Sequence, residues 1–178
     1  MKSTSTLVFP CALVLATLSF GAAAAELPGD SSTVCTAPAA EVSRALRRAT
    51  NEARAEARRC GSTLMEAVPE LRWNRELTRA ARGHSRDMAR NNFFSHTGSD
   101  GLKVWDRVLA EGYVYRYVGE NIAAGYANVG SAQAGWLSSP GHCRNLMSAN
   151  FTHMGVGCVR DAGSDYRDYW TIVFGRAR

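Results

Sequence analysis

The chain is poor in lysine, in proline and in the short motifs that mark familiar chemistries. Lys2 and Lys103 are its only lysines among 21 cationic residues, so its positive charge is arginine charge. Five prolines and 16 glycines in 178 residues exclude a collagen-like or Pro/Gly-repeat chain. A composition of 46% hydrophobic and 21% charged residues excludes an intrinsically disordered one. No internal repeat or low-complexity tract is present, and no H-E-x-x-H, G-x-S-x-G or G-x-G-x-x-G occurs. The zincin, α/β-hydrolase and dinucleotide-binding signatures are therefore missing. Five cysteines are too few for a disulfide miniprotein, and the absence of C-x-x-C spacing argues against a zinc knuckle.

The one long apolar run stands at the start. Met1 and Lys2 precede an apolar stretch from Leu7 to Phe20, which leads through Gly21 to Ala22–Ala25. A charged start, a short apolar core and an A-x-A site at Ala23–Ala25 predict a secretory signal peptide over residues 1–25, cut before Glu26. As a membrane anchor the run is short and lacks a positive flank on its far side. Cys11 lies inside this core and leaves with it. The expected product is a secreted or periplasmic chain of 153 residues with no membrane span, an N-terminal arm over 26–38 and a single domain over 39–178.

The charge has a location. Residues 41–90 carry twelve arginines and seven acidic residues, whereas the rest of the mature chain carries eight cations and nine acids. An anionic lipid or polymer is one reading of that excess. The other is the solvated outer face of two helices, because the arginines alternate with glutamate and no aromatics are interleaved, which also points away from nucleic acid.

Apolar residues at steps of three and four predict a helix over Ala39–Cys60, stopped by Gly61. Asn74 is placed to cap a second helix whose stripe is Leu77, Ala80, Ala81, His84 and Met88. A third helix over Leu102–Glu111 turns Trp105, Val108 and Leu109 inward. Tyr113–Val118 reads as a strand, with Tyr113, Tyr115 and Tyr117 on one face, leading into the segment Gly119–Gly125. Ser131–Leu137 reads as a short helix, and Cys143–Met147 as a further turn. Met154–Val159 and Tyr169–Phe174 read as an antiparallel hairpin. The class is α+β, with an antiparallel sheet covered by helices. Of the three pairings open to the four remaining cysteines, chain position favours Cys35–Cys60 and Cys143–Cys158.

Four histidines are available for chemistry. His84 lies on the apolar stripe of the second helix and reads as a hydrogen-bonded core residue, and His153 as a sheet-edge residue. His96 and His142 each sit in a turn between elements, where sites are usually built. Glu120 is a lone carboxylate in an apolar, glycine-rich stretch and needs a partner. Two exposed turn histidines and a surface glutamate are the plainer reading of the same three residues.

Four ordered segments carry a resemblance. They are His84-Ser85-Arg86-Asp87-Met88-Ala89 with Asn92-Phe93-Phe94-Ser95-His96, then Gly119–Gly125, then Trp136–His142, then Gly155-Val156-Gly157. Together they resemble the bacterial branch of the CAP (SCP-like) superfamily, which groups cysteine-rich secretory proteins, antigen 5 and pathogenesis-related proteins of class 1. The resemblance covers about residues 39–176. It implies an α-β-α sandwich with an antiparallel sheet between helical layers, and an open cleft lined by two histidines and two glutamates. It also implies that the histidines hold a divalent metal, commonly zinc. By motif the metal ligands are His96 and His142, and the first glutamate is Glu120, with Asn121 beside it. The second glutamate position falls on Ser139.

With serine there, metal affinity should be lower and a hydrolytic mechanism harder to build. A Ser139–His142–Glu120 relay is conceivable on residue types, so these three are the catalytic candidates. Ser139 sits before Pro140 in a turn, with no nucleophile elbow. The leading expectation is a monomeric, non-catalytic extracellular or periplasmic module with a divalent-metal cleft, binding an unidentified cell-envelope, lipid or protein partner. The alternatives are a metal- or serine-dependent hydrolase of peptides or cell-envelope esters, and a lipid or anionic-polymer binder. The segment that some sterol-binding relatives use has no clear counterpart.

Overall fold

The computed structural model describes Met1 and residues 31–178. The expected signal peptide and its cleavage site therefore lie outside the described residues. No helix among the described residues is long and apolar enough to cross a membrane.

In chain order the elements are α1 (Ala39–Arg54), β1 (Arg58–Cys60), β2 (Thr63–Met65), β3 (Arg72–Trp73), α2 (Arg75–Arg90), α3 (Val104–Ala110), β4 (Tyr115–Ala124), α4 (Val129–Ser138), α5 (Pro140–Leu146), β5 (His153–Arg160) and β6 (Asp168–Ala177). The main sheet has the order β3-β5-β6-β4, with β5–β6 and β4–β6 antiparallel. One correction concerns its edge: β3 runs parallel to β5, pairing Arg72 with His153 and Trp73 with Met154.

Strand alternation divides the core in two. On β6, Trp170, Ile172 and Phe174 join Leu46 of α1 and Trp136 of α4 in the larger cluster. Val173 faces the other way, onto Leu77, Ala80 and Ala81 of α2 and Val108 of α3. The fold is thus α+β, a sheet between two helical layers. The layer that carries α2 lies close to the sheet because Gly155 and Gly157 have no side chain. A Cβ at Gly155 would stand 2.1 Å from the Leu77 carbonyl carbon, and one at Gly157 2.4 Å from the Ala81 oxygen.

The second helix starts where the sequence places it, with Asn74 Oδ1 accepting from Leu77 N at 2.8 Å. The first ends six residues earlier than expected. Arg58 Nε donates to Ala53 O at 2.9 Å, and the buried Arg54 guanidinium donates to Pro69 O, Leu146 O and Ser148 O. The chain turns out of the helix into the β1–β2 hairpin, where Gly61 at φ +65° makes the turn.

That hairpin changes the disulfides. Cys60 lies beside α5 and pairs with Cys143, at a Cα separation of 5.4 Å. Cys158 shares the α1 face of β5 with Met154 and Val156, where the N-terminal arm lies, and pairs with Cys35 at 5.3 Å. The expected Cys35–Cys60 and Cys143–Cys158 bridges are therefore wrong. Proximity in the chain counted for less than which face of the sheet each cysteine reaches.

Two smaller expectations also change. Of the three α3 residues expected inward, only Val108 is buried; Trp105 and Leu109 are exposed, because a seven-residue helix lying over the edge of α2 buries one narrow stripe. The three tyrosines do not share one strand face: Tyr113 is buried ahead of β4, and the register shifts between Tyr115 and Tyr117.

Candidate functional site

Strand β4 sets the site. It continues through Gly119–Ala124, which the sequence left as a segment following the strand, and among the described residues it pairs only with β6. Being at the edge, it can be approached from both sheet faces. Successive residues point to opposite sides. Glu120, opposite Val173, points to the α2–α3 side; Asn121, opposite Ile172, points to the α5 side.

On the first side, Glu120 is a hub. Its side chain is 2% exposed, and Arg107 Nη2 of α3 donates to its Oε2 at 2.6 Å. His96 Nδ1 donates to its Oε1 at 2.8 Å. His84 Nε2, on α2, lies 3.9 Å from the same oxygen and donates to Ser95 O at 2.9 Å. Arg107 also donates to His96 O and Leu102 O, which ties the loop between α2 and α3 to the helix that follows it. Asp87 holds the other end of that loop by accepting from Ser99 N and Ser99 Oγ.

On the second side, Asn121 is fully buried. Its Nδ2 donates to His142 O at 3.0 Å, and its Oδ1 accepts from Asn145 Nδ2 at 3.0 Å. These bonds anchor α5, which carries His142 in its first turn after Pro140. His96 and His142 thus come to β4 from opposite layers, His96 through Glu120 and His142 through Asn121.

Burial alone would raise the Glu120 pKa, but the His96 hydrogen bond and the charge of Arg107 outweigh it and hold the carboxyl below its ordinary range. Glu120 is therefore a fixed anion with both oxygens engaged. Burial lowers His84, despite the attraction of Glu120. Burial and then the charge of His96 lower His142, favouring its neutral ring.

The catalytic candidates do not form a relay. Glu120 bonds His96 and Arg107, and among the described residues no hydrogen bond joins the Ser139 hydroxyl to His142 or Glu120. Ser139 contributes its backbone, its N–H donating to Trp136 O and its carbonyl accepting from Cys143 N. His153 opens the interior strand β5, paired with Arg72 on one side and Gly175 on the other, so it is not the sheet-edge residue expected; it faces the Tyr113 hydroxyl at 3.0 Å. Sequence reasoning missed Arg107 and Asn145. The buried carboxylate called for a cation, but nothing local to Arg107 distinguishes it from a surface arginine.

The donor set decides what metal chemistry is available. Among the described residues no group of three or more His, Cys, Asp or Glu side chains is placed to hold a metal ion. Structural zinc takes four protein ligands and catalytic zinc usually three. Two imidazoles are what this edge offers. With Nδ1–H committed to Glu120, His96 keeps the Nε2 lone pair free on a side chain 54% exposed. That is how a carboxylate fixes the tautomer of a metal-bound imidazole. Two imidazoles fall short of the three protein ligands of a catalytic zinc centre, and would hold a cation only with water completing its shell.

Comparison with known proteins identifies the family of this fold. The model of the CAP, or cysteine-rich secretory protein, family matches residues 47–174. A curated relative, the uncharacterized membrane protein YlbC of Bacillus subtilis (strain 168), is 42% identical over 94 residues, 52% of this chain and 27% of its own length. A Bacillus anthracis extracellular protein containing an SCP domain, solved by crystallography, is 37% identical with a TM-score of 0.55 over 61% of this chain and 34% of its own. Venom allergen-like protein 4 of Schistosoma mansoni, 13% identical, has a TM-score of 0.55 over 78% of this chain and 90% of its own, and shows the fold alone. The chain thus spans about a quarter of the curated relative and a third of the first structure.

Proposed function

This chain belongs to the CAP family of cysteine-rich secretory proteins, in its bacterial branch, and from that premise we propose that it is a secreted, non-catalytic binding module. Its working site holds a divalent cation, zinc by ligand type, between His96 and His142. The observation that carries the reading is the 2.8 Å hydrogen bond from His96 Nδ1 to Glu120, which leaves Nε2 of a half-exposed ring uncommitted among the described residues.

Each residue has a part in this reading. Arg107 keeps Glu120 ionised, Glu120 fixes the tautomer of His96, and Asn121 and Asn145 hold the helix that presents His142. A bound cation supplies a Lewis-acidic anchor for an oxygen or nitrogen of the partner. Two protein ligands leave most of its coordination shell to water and partner, which suits capture rather than turnover. Glu120 has no free oxygen for general-base work, and Ser139 has no activating neighbour, so binding is favoured over hydrolysis. The secreted location rests on the N-terminal sequence pattern and on similarity to the extracellular SCP-domain protein of Bacillus anthracis.

Nuclear magnetic resonance of the imidazole rings during a Zn²⁺ titration tests the site. The ring signals of His96 and His142 should move together while those of buried His84 and of His153 stay in place. Movement of His153 alone, or of no histidine, would show that the cation binds elsewhere or not at all.

A further inference from the structure

The opposite edge of the sheet carries a second feature, one that shares no residue with the histidine site. There β3 covers only the first two residues of β5, and a hollow of about 330 Å³ opens between α1 and α2. Arg44 and Arg47 come to it from α1, Arg82 from α2 and Trp73 from β3, with Ser43 and Thr78 between them. The Trp73 indole is 51% exposed. None of the described residues that line this hollow is acidic.

The three arginines differ from the partnered arginines beside them. On the same two helices Arg48 pairs with Glu52, Arg75 with Glu76 and Arg79 with Glu111, and Arg54 is buried against backbone carbonyls. Arg44, Arg47 and Arg82 have no hydrogen bond or ion pair among the described residues. Arg86 and Arg90, farther along α2, have none either, so what sets Arg44, Arg47 and Arg82 apart is that they meet at one hollow beside an exposed tryptophan. Arg44 and Arg47 also border an adjoining hollow of about 520 Å³, where Glu52 and Glu70 supply carboxylates. The stretch that is cationic without opposition is the one beside Trp73.

We propose that this groove binds an acidic polysaccharide, with a sugar ring against Trp73 and its anionic groups on Arg44, Arg47 and Arg82. The electron-rich face of an indole receives the C–H bonds of a sugar ring, and planar guanidinium groups match carboxylate or phosphate oxygens in pairs. The walls between are small and hydroxyl-bearing, not the enclosed apolar lining that an acyl chain requires. One aromatic, in place of a row of stacking platforms, suits a sugar chain better than a single-stranded nucleic acid.

The test is calorimetric titration of the mature chain with a galacturonic acid hexamer and with a neutral galactose hexamer. Both are run at low salt and at about 0.3 M salt. The acidic hexamer should bind, and the neutral one about tenfold more weakly. R44Q/R47Q/R82Q should lose about tenfold or more in affinity for the acidic hexamer, chiefly at low salt. Trp73→Ala should lose several-fold at both salt levels, and H96A/H142A should bind as the parent does. The proposal is overturned if the parent does not bind the acidic hexamer, or if the triple variant binds it as well as the parent. Tighter binding to phosphatidylglycerol vesicles or to a thymidine oligonucleotide than to the acidic hexamer would overturn it too.

Discussion

Arg107 Nη2 and Glu120 Oε2 lie 2.6 Å apart in an ion pair whose side chains are 10% and 2% exposed, and this pair supports His96 from behind. Removing one partner of a buried pair leaves the other charge uncompensated, at a cost of about 3–5 kcal/mol, whereas replacing both costs much less. Arg107→Met should therefore destabilise the protein by about that amount, and R107M/E120Q by clearly less. Urea denaturation of both variants and the parent checks the prediction; additive losses would show that the pair is not coupled.

The disulfides should map as Cys35–Cys158 and Cys60–Cys143 in non-reducing peptide analysis. The bridges span 123 and 83 residues, so the chain-entropy model assigns each about 5 kcal/mol, and loss of a native bridge commonly costs about 2–5 kcal/mol. C35S/C158S should fall in that range. Recovery of a Cys35–Cys60 peptide would contradict the topology.

Gly155→Ala and Gly157→Ala should each destabilise by about 3 kcal/mol or more, because the new methyl group would meet the α2 backbone, which cannot move as a flexible side chain can. Thermal denaturation reads this directly. A control at Gly141, where a Cβ meets nothing within 4 Å, should be close to neutral.

Much of the architecture was legible in the sequence, and the failures share a cause. The α2 helix was readable because Asn74 caps it and its apolar stripe is regular, and the β5–β6 hairpin because its strands are apolar and β-branched. Ala57 and Cys60 continue the helical spacing of α1 by accident. What ends that helix is Arg54 and Arg58 binding carbonyls, and the Arg54 contacts come from distant segments that no local pattern contains. The cysteine pairing failed for the same reason, since it depends on which sheet face each residue occupies. At the site, His96, His142 and Glu120 stood in recognisable motifs, while Arg107 looked like any helical arginine. Its role exists only because α3 lies over the carboxylate of an edge strand.

Stability should fall as the solution is acidified below about pH 6.5. His84, His142 and His153 all have folded pKa values lowered first of all by burial. A lowered folded value means that the unfolded chain takes up protons first. The stability these residues provide is complete above the unfolded histidine value of about 6.5 and is lost as pH falls through their folded values. Glu120, also lowered, adds a later loss, from its unfolded value downward through its folded one. Urea midpoints across this range check the trend. His84→Gln, which keeps a donor for Ser95 O, should flatten the first limb; an unchanged slope would remove His84 from the account.

The central claim is that His96 and His142 together hold a divalent cation on the edge of β4, with Glu120 orienting the first of them. Isothermal titration of Zn²⁺ into the mature protein, the H96A/H142A variant and the Glu120→Gln variant tests it most directly. The account predicts weak one-to-one binding by the parent, none detectable in the double variant, and a loss of about 10–100-fold in Glu120→Gln, the range for removing a carboxylate behind a metal-bound histidine. Equal Zn²⁺ affinity in the parent and in H96A/H142A would contradict it.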